Sequence, residues 1–387
     1  MKTEERYLNR EQSQIKHLIL EKYLSRFAPI VGSKWNGIIY VDGFAGPWNL
    51  ATDDFSDSSF SIALRELRKA RGGVHAAFKQ KHLEIECVFL ERDPSAFRAL
   101  DEFSKRQKDV NITAINEEFE NAIPELVRVI NAKKSNHFPF VLIDPKGWKG
   151  FSMDVIAPLI QQKPCELLIN FMTGHIIRFI EDEREGLKAS FQKLFGDDSY
   201  SRKIEGLSGH QREDAIVEAY AERIKEVGGY PYVSTALVLQ PTRDRTHFHL
   251  IYATRNLKGI EVFKKAEEQA LELSKTLRSD AKIRARVEAT GQEEFFAGED
   301  LPEISYLRTL QTRYETKAAT ALVEWTNGKS TCAYDELYAI ALSFPTVQEA
   351  PFLREWIKAN GSVPNLGKRR FPKIKNDDYV VFHHSNQ

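Results

Sequence analysis

Cysteine is scarce in this chain. The 387 residues hold three, Cys87, Cys165 and Cys332, far apart and without a CxxC or Cys/His grouping. That pattern excludes a disulfide framework, argues against a structural zinc site and suits a reducing compartment. Long apolar runs are missing too, and no stretch approaches the roughly 18 residues of a spanning helix. The opening segment MKTEERYLNREQSQIKH is polar and mixed in charge, without the apolar core of a signal peptide. The expected location is cytoplasmic, with no membrane partner. Net charge is also lacking, because Lys+Arg and Asp+Glu stand equal at 55 each. A nucleic-acid binder of this composition needs a local basic patch rather than a global excess. There is no P-loop, and no nucleophile elbow gathers Ser, His and Asp, so a hydrolase is disfavoured.

What remains is ordinary globular material, 42% hydrophobic and 28% charged. The length exceeds what single cores usually fill, so two domains are expected. In residues 12–31, Ile15, Leu18, Ile19, Tyr23, Leu24 and Phe27 recur at helical spacing and predict an amphipathic opening helix. Next comes an apolar run, Ile38 to Val41, ending on Asp42 and a glycine-containing turn, as a buried parallel strand does. Strand-like and helix-like segments then alternate: HLEIECVFLERDP, SAFRALDEFSKRQ, DVNITAINEEF, ENAIPELVRVINA, FPFVLIDPKGW, SMDVIAPLIQQ and CELLINFM. This spacing specifies an α/β, doubly wound parallel sheet. A mainly helical region follows at about 175–228, then two strands, YPYVSTALVLQ and RTHFHLIYATRN, predicted to form an antiparallel hairpin. After a long charged helix, residues 291–305 read as a linker. Residues 306–387 read as two or three helices, the basic turn GKRRFPKIK and a terminal strand.

The candidate chemistry gathers at strand ends, where open α/β sheets bind ligands. Asp42 is followed by Gly43, Phe44 and Gly46, and glycine lets backbone approach a ligand closely. An ordinary strand-to-helix turn explains that pair equally well. Glu91 ends the second strand, with Asp93 just beyond, and an acid there can accept hydrogen bonds from ribose hydroxyls. Glu117 and Glu118 follow the third strand; either could receive an adenine amine, or both are solvated charges at a helix start. The fourth strand ends Asp144-Pro145-Lys146-Gly147-Trp148. Asp144 can orient a substrate amine, Lys146 can touch phosphate, and Trp148 offers a stacking face or is a packed indole. His247 and His249 alternate on one strand and are expected on one half-buried face, with no third ligand nearby for a metal.

With these residues in view, the chain resembles class I methyltransferases, and more closely the three-Cys-motif partner protein (TcmP) family. The likeness lies in YVDGFAGP at 40–47, FLERDP at 89–94, FVLIDPKGW at 140–148, LLINF at 167–171, HLIYATRN at 249–256 and the opening helix KHLILEKYL at 16–24. It covers nearly the whole chain. The resemblance implies a Rossmann-like methyltransferase domain over 1–290, mostly parallel with an antiparallel terminal hairpin, and a winged-helix-like α+β domain over 306–387. It implies S-adenosylmethionine as cofactor, with Asp42, Gly43 and Gly46 around its amino-acid end and Phe44 and Asp93 also among the cofactor-binding residues. Glu91 would serve the ribose, Glu118 would lie near the adenine, and Asp144 would stand at the catalytic strand end. The family's partner resembles radical S-adenosylmethionine enzymes and carries the cysteines of the family name.

Two departures matter. Trp48 stands where these proteins generally have glycine, and DPKG is not the DPPY of amino-directed nucleic-acid methyltransferases, so the target atom does not carry over. The expected function is methyl transfer to RNA or DNA, with Lys368, Arg369, Arg370 and Lys373 of the basic turn docking along phosphates. The alternative is a catalytically silent adaptor that holds cofactor or nucleotide for a partner enzyme or phage-defence system. Methylation of a protein or small molecule is a third expectation. The sequence leaves the oligomeric state open.

Overall fold

The computed structural model describes residues 7–46, 55–291, 301–364 and 378–383. Helix α1 (Glu11–Lys34) forms where the sequence places apolar side chains four apart, and Ile15, Ile19, Tyr23 and Phe27 make its buried stripe. Then come β1 (Gly37–Asp42), α2 (Ser59–Ala77), β2 (Glu84–Leu90), α3 (Pro94–Arg106) and β3 (Asn111–Ile115). The alternation continues through α4 (Phe119–Lys133), β4 (His137–Ile143), α5 (Met153–Ile160) and β5 (Glu166–Phe171). Helices α6 (Thr173–Phe179), α7 (Glu185–Phe195), α8 (Ser199–Ile204) and α9 (Gly209–Gly228) fill the predicted helical region. Strands β6 (Tyr232–Leu239) and β7 (Thr246–Thr254) lead into the long helix α10 (Leu257–Thr290).

The sheet runs β3-β2-β1-β4-β5-β7-β6. The first five strands are parallel, while β7 is antiparallel to both β5 and β6. The fold is therefore doubly wound and Rossmann-like, with the predicted antiparallel hairpin at one edge. Strands β1 and β5 are buried at every position, as their unbroken apolar runs require. One face of the sheet packs on α1, α2 and α10, the other on α4, α5 and the α7–α9 group. Strand order reverses between β1 and β4, which opens a crevice at their carboxyl ends. No helix among the described residues is long and apolar enough to cross a membrane.

Beyond α10 lie α11 (Leu301–Thr326), β8 (Thr331–Ala333), α12 (Tyr334–Ala341), α13 (Arg354–Asn360), β9 (Gly361–Ser362) and β10 (Tyr379–Phe382). The three short strands form an antiparallel sheet in the order β8-β10-β9. Helix α11 begins inside the stretch read as a linker, because a proline in the first turn starts a helix as readily as it breaks one. This region is fastened to the main sheet. Leu307, Leu310, Tyr314, Ala318 and Leu322 share the apolar layer of α1 and α10. The edge strand β6 is covered: Thr235 N–H donates to Ser343 O at 3.0 Å and Ser234 Oγ to Leu342 O at 2.6 Å. Buried Lys264, ion-paired with buried Glu267, donates to Phe344 O at 2.8 Å, while Glu267 accepts from Thr346 N–H at 2.9 Å.

Candidate functional site

The β1–α2 loop leaves the sheet at Asp42 and crosses toward β2, where Ala45 N–H donates to Leu90 O at 2.8 Å. Gly43 is needed at this crossing for packing: a Cβ there would stand 2.6 Å from the ring of Phe119. Phe44 then lies tilted against the same ring, centroids 5.2 Å apart. Asp42 is fully buried and accepts from Ser59 Oγ at 2.6 Å and Phe44 N–H at 3.2 Å. Burial lifts its pKa to about 6, Asp144 adds to the rise, and the Ser59 and Phe44 hydrogen bonds oppose it.

A cavity of about 310 Å3 opens at the switch point. Its walls include Phe44, Gly46 and Ser59 from the β1–α2 side and Asp144, Pro145 and Lys146 from the end of β4. Asn170 and Met172 close it from β5, and His247 and Phe248 from β7. The fifth wall is the start of α1, through Gln12, Ser13, Lys16 and His17. Lys16 reaches across to form an ion pair with Asp144, whose other oxygen accepts from Asn170 Nδ2 at 2.7 Å. Burial pushes the Asp144 pKa up, but the Lys16 charge and the two hydrogen bonds outweigh it, so the carboxyl is held below its ordinary value. His17 hydrogen-bonds Tyr7 at 3.0 Å, and burial together with Lys16 drives its pKa down to about 3. It is a neutral imidazole at pH 7. Asn170 is 3% exposed and its Oδ1 has no hydrogen-bond partner, an acceptor left open beside the ionised Asp144.

Of the sequence-derived candidates, the structure brings Phe44, Gly46, Asp144 and Lys146 to the cavity wall. Asp42 stands behind Ser59 and acts on the cavity through it. Glu91 is buried at the end of β2 and accepts from Asp93 N–H at 2.6 Å. Asp93 caps α3, accepting from Ser95 N–H at 2.9 Å and Ala96 N–H at 2.8 Å. Glu118 is exposed, 3.7 Å from Arg92. Trp148 lies outside the cavity wall: its indole stacks on Phe191 at 5.4 Å, meets Phe179 at 5.3 Å and donates to Ser190 Oγ at 3.1 Å. Of the two readings of Trp148, the packed indole describes this geometry. Trp48, Lys368, Arg369, Arg370 and Lys373 lie outside the described residues.

The shared face expected for His247 and His249 does not hold. Thr246 pairs with Leu239 and Phe248 with Val238, leaving His247 as an extra residue in a bulge. Period-two alternation stops there. His247 and Phe248, neighbours in sequence, both border the cavity, while His249 is buried against Thr173 Oγ1 at 2.8 Å. Sequence reasoning also missed Lys16, Ser59 and Asn170 as site residues. The one signal available for Lys16 is a charge at the head of an otherwise apolar-striped helix.

No protein-family model matches the chain, and neither does any curated protein. Among solved structures, a loganic acid methyltransferase with SAH is similar over 75% of this chain and 91% of its own, at 10% identity and a TM-score of 0.31. At that score the superposition bears on neither the site nor the activity.

Proposed function

We propose that the chain is an S-adenosylmethionine-dependent methyltransferase, with the methyl-donor site that its resemblance to the TcmP family implies, and that it acts on nucleic acid. The observation that supports this best is the set of polar groups at the β1/β4 switch point. Asp42, Asp144 and Asn170 stand at the ends of three neighbouring strands, around a cavity whose size falls within the roughly 300–1,000 Å3 of small-molecule sites. The residues fit the donor's amino-acid end. Asn170 Oδ1 is an unpartnered acceptor suited to an N–H group, and Gln12 Oε1 on the opposite wall is another. Glu91, buried at the end of the adjacent strand, is the group this reading assigns to the ribose hydroxyls.

When bound, S-adenosylmethionine supplies an electrophilic methyl group. The chain contributes orientation and electrostatics. Asp144, kept ionised by Lys16 and Asn170, accepts a hydrogen bond from the acceptor's N–H or O–H and so aims its lone pair. The α1 wall, with Lys16 and neutral His17, shields the reacting atoms from water. The C-terminal order α11, β8, α12, α13, β9, β10, with β10 central in its sheet, supports the winged-helix reading. In this reading Lys368, Arg369, Arg370 and Lys373, which lie outside the described residues, would meet the phosphate backbone as a wing does.

A second reading, a cofactor-holding adaptor that works with a partner such as a radical-S-adenosylmethionine-like three-Cys-motif protein, is favoured by the engagement of Trp148 and Asp144 within the chain itself. The deciding experiment is methyl transfer from labelled S-adenosylmethionine to pooled RNA, DNA and protein. Label in nucleic acid, lost in a Lys368→Glu/Arg369→Glu/Arg370→Glu variant, supports the first reading. Donor binding with no labelled acceptor supports the second.

A further inference from the structure

Many basic side chains among the described residues sit against an acid, but four grouped around His247 at the cavity do not. His175 and Arg178 lie one turn apart on α6, and Arg245 and His247 flank the start of β7. Helix α6 packs so closely on β7 that a Cβ on Gly174 would stand 2.8 Å from His247 O. His247 borders the cavity alongside Lys16. Burial lowers the His247 pKa, and the positive field of His175, Lys16, Arg245 and Arg178 lowers it further. The neighbouring acids are already taken. Asp244 holds Arg278 at 2.5 Å and Lys282 at 2.7 Å, Glu181 pairs with Arg212, and Asp182 holds Arg184 at 2.7 Å. Among the described residues, none of the four side chains has a carboxylate partner.

Arg178 and Arg245 bring positive charge to His247 without a counter-charge, and an anion relieves the repulsion between them. The backbone that carries them is tied down, which a site requires. Arg278 of α10, 2% exposed, ties down the β6–β7 turn by donating to Gln240 O and to Arg243 O, the latter at 3.0 Å. Arg178 and Arg245 carry the planar forks that match phosphate, and a neutral histidine still has one N–H to donate. We propose that His175, Arg178, Arg245 and His247 form a phosphate-binding rim, which seats a phosphate ester of the methyl acceptor with the adjoining group directed into the cavity. This rests on the reading of the cavity as the methyl-transfer site, but the rim's own test does not require donor binding.

The test is fluorescence anisotropy of the full chain with a short, mixed-sequence, fluorescein-labelled RNA. Wild type is compared with Arg178→Glu/Arg245→Glu and with a control of equal charge change on α3 and α4, Lys105→Glu/Arg128→Glu. We expect wild type to bind, the rim variant to lose at least tenfold, and the control to stay near wild type. Two lost single-strand phosphate contacts should also flatten the log–log salt slope by about 1.4. Adenosine 5′-monophosphate is the competing arm: much weaker competition than unlabelled RNA assigns a polymer, and equal competition a small phosphate ester. Equal losses in rim and control variants, an unchanged rim variant, or a wild type that binds neither probe would each overturn the proposal. Thermal unfolding certifies that the variants fold. Calorimetry with S-adenosylhomocysteine, run in parallel, separates failure of the donor site from failure of the rim.

Discussion

The two ends of β5 both carry a buried polar group, and they differ in what surrounds it. At the amino end, Glu166 accepts from Tyr23 and, at 2.7 Å, from Thr254, while Tyr23 and Tyr252 hydroxyls meet at 2.7 Å. Every partner is a hydroxyl and all of them are buried; burial raises the Glu166 pKa against those hydrogen bonds. At the carboxyl end, Asn170 keeps an acceptor without a partner, Asp144 is ionised against Lys16, and a cavity adjoins both. A buried acid alone therefore says little about function. A sealed, hydroxyl-satisfied network fixes packing, whereas a charged and incompletely satisfied one beside a cavity is built for something that arrives from outside.

The largest effect should come from breaking the sealed end. Glu166→Ala removes the shared acceptor of the Tyr23 and Thr254 hydroxyls and leaves a buried gap, for a total loss of roughly 3–5 kcal/mol in denaturant unfolding. Cofactor affinity of the folded protein should not change. A larger effect on affinity than on stability would erase the contrast between the two ends.

Next is the pH dependence set by Asp42. Its folded pKa, about 6, lies above the ordinary 3.8, so the folded state holds its proton longer than the unfolded state. Stability from this group is fully present below about 3.8 and is lost as pH rises through about 6, a change of about 3 kcal/mol. His17 acts in the opposite sense, because its lowered pKa makes stability fall as pH drops from about 6.5 toward 3. Unfolding free energies of wild type minus Asp42→Asn should therefore decline across pH 4–6, and a flat difference would contradict the assignment.

At the open end, Asp144→Asn leaves Lys16 without its partner and should cost about 1–3 kcal/mol, while cutting methyl transfer roughly a hundredfold through lost orientation. Comparable rates in the two proteins would remove Asp144 from the mechanism. The smallest change is Gly43→Ala. The Phe119 ring must yield to the new methyl, which should cost about 1–3 kcal/mol in thermal or denaturant unfolding. An unchanged midpoint would show that the loop tolerates a side chain.

Much of the fold was legible because its signals are local. Apolar runs ending on Asp42, Glu91 and Asp144 marked strands and their carboxyl ends, and the alternation with amphipathic helices set the parallel sheet. The hairpin of β6 and β7 was visible in two apolar runs around the short turn with Arg243, Asp244 and Arg245. The site was half legible. Asp144 was found from its strand end, but its partner Lys16 lies on a helix far away in sequence, and only the packing of α1 over the switch point brings them together. Trp148 carries no sequence mark of whether its face is open, since Phe191 and Phe179 come from helices packed later in the chain. The His247 bulge escaped because alternation assumes an unbroken ladder. Gly43 was noticed for the right loop, but its tight neighbour is Phe119 of the protein.

The central claim is that the β1/β4 crevice holds a methyl donor. Calorimetric titration of S-adenosylmethionine and S-adenosylhomocysteine into wild type and Asp42→Ala tests it most directly. The account predicts micromolar binding by wild type and its loss when Asp42 no longer holds Ser59 at the cavity wall. No heat of binding in wild type, or equal affinity in Asp42→Ala, would contradict it.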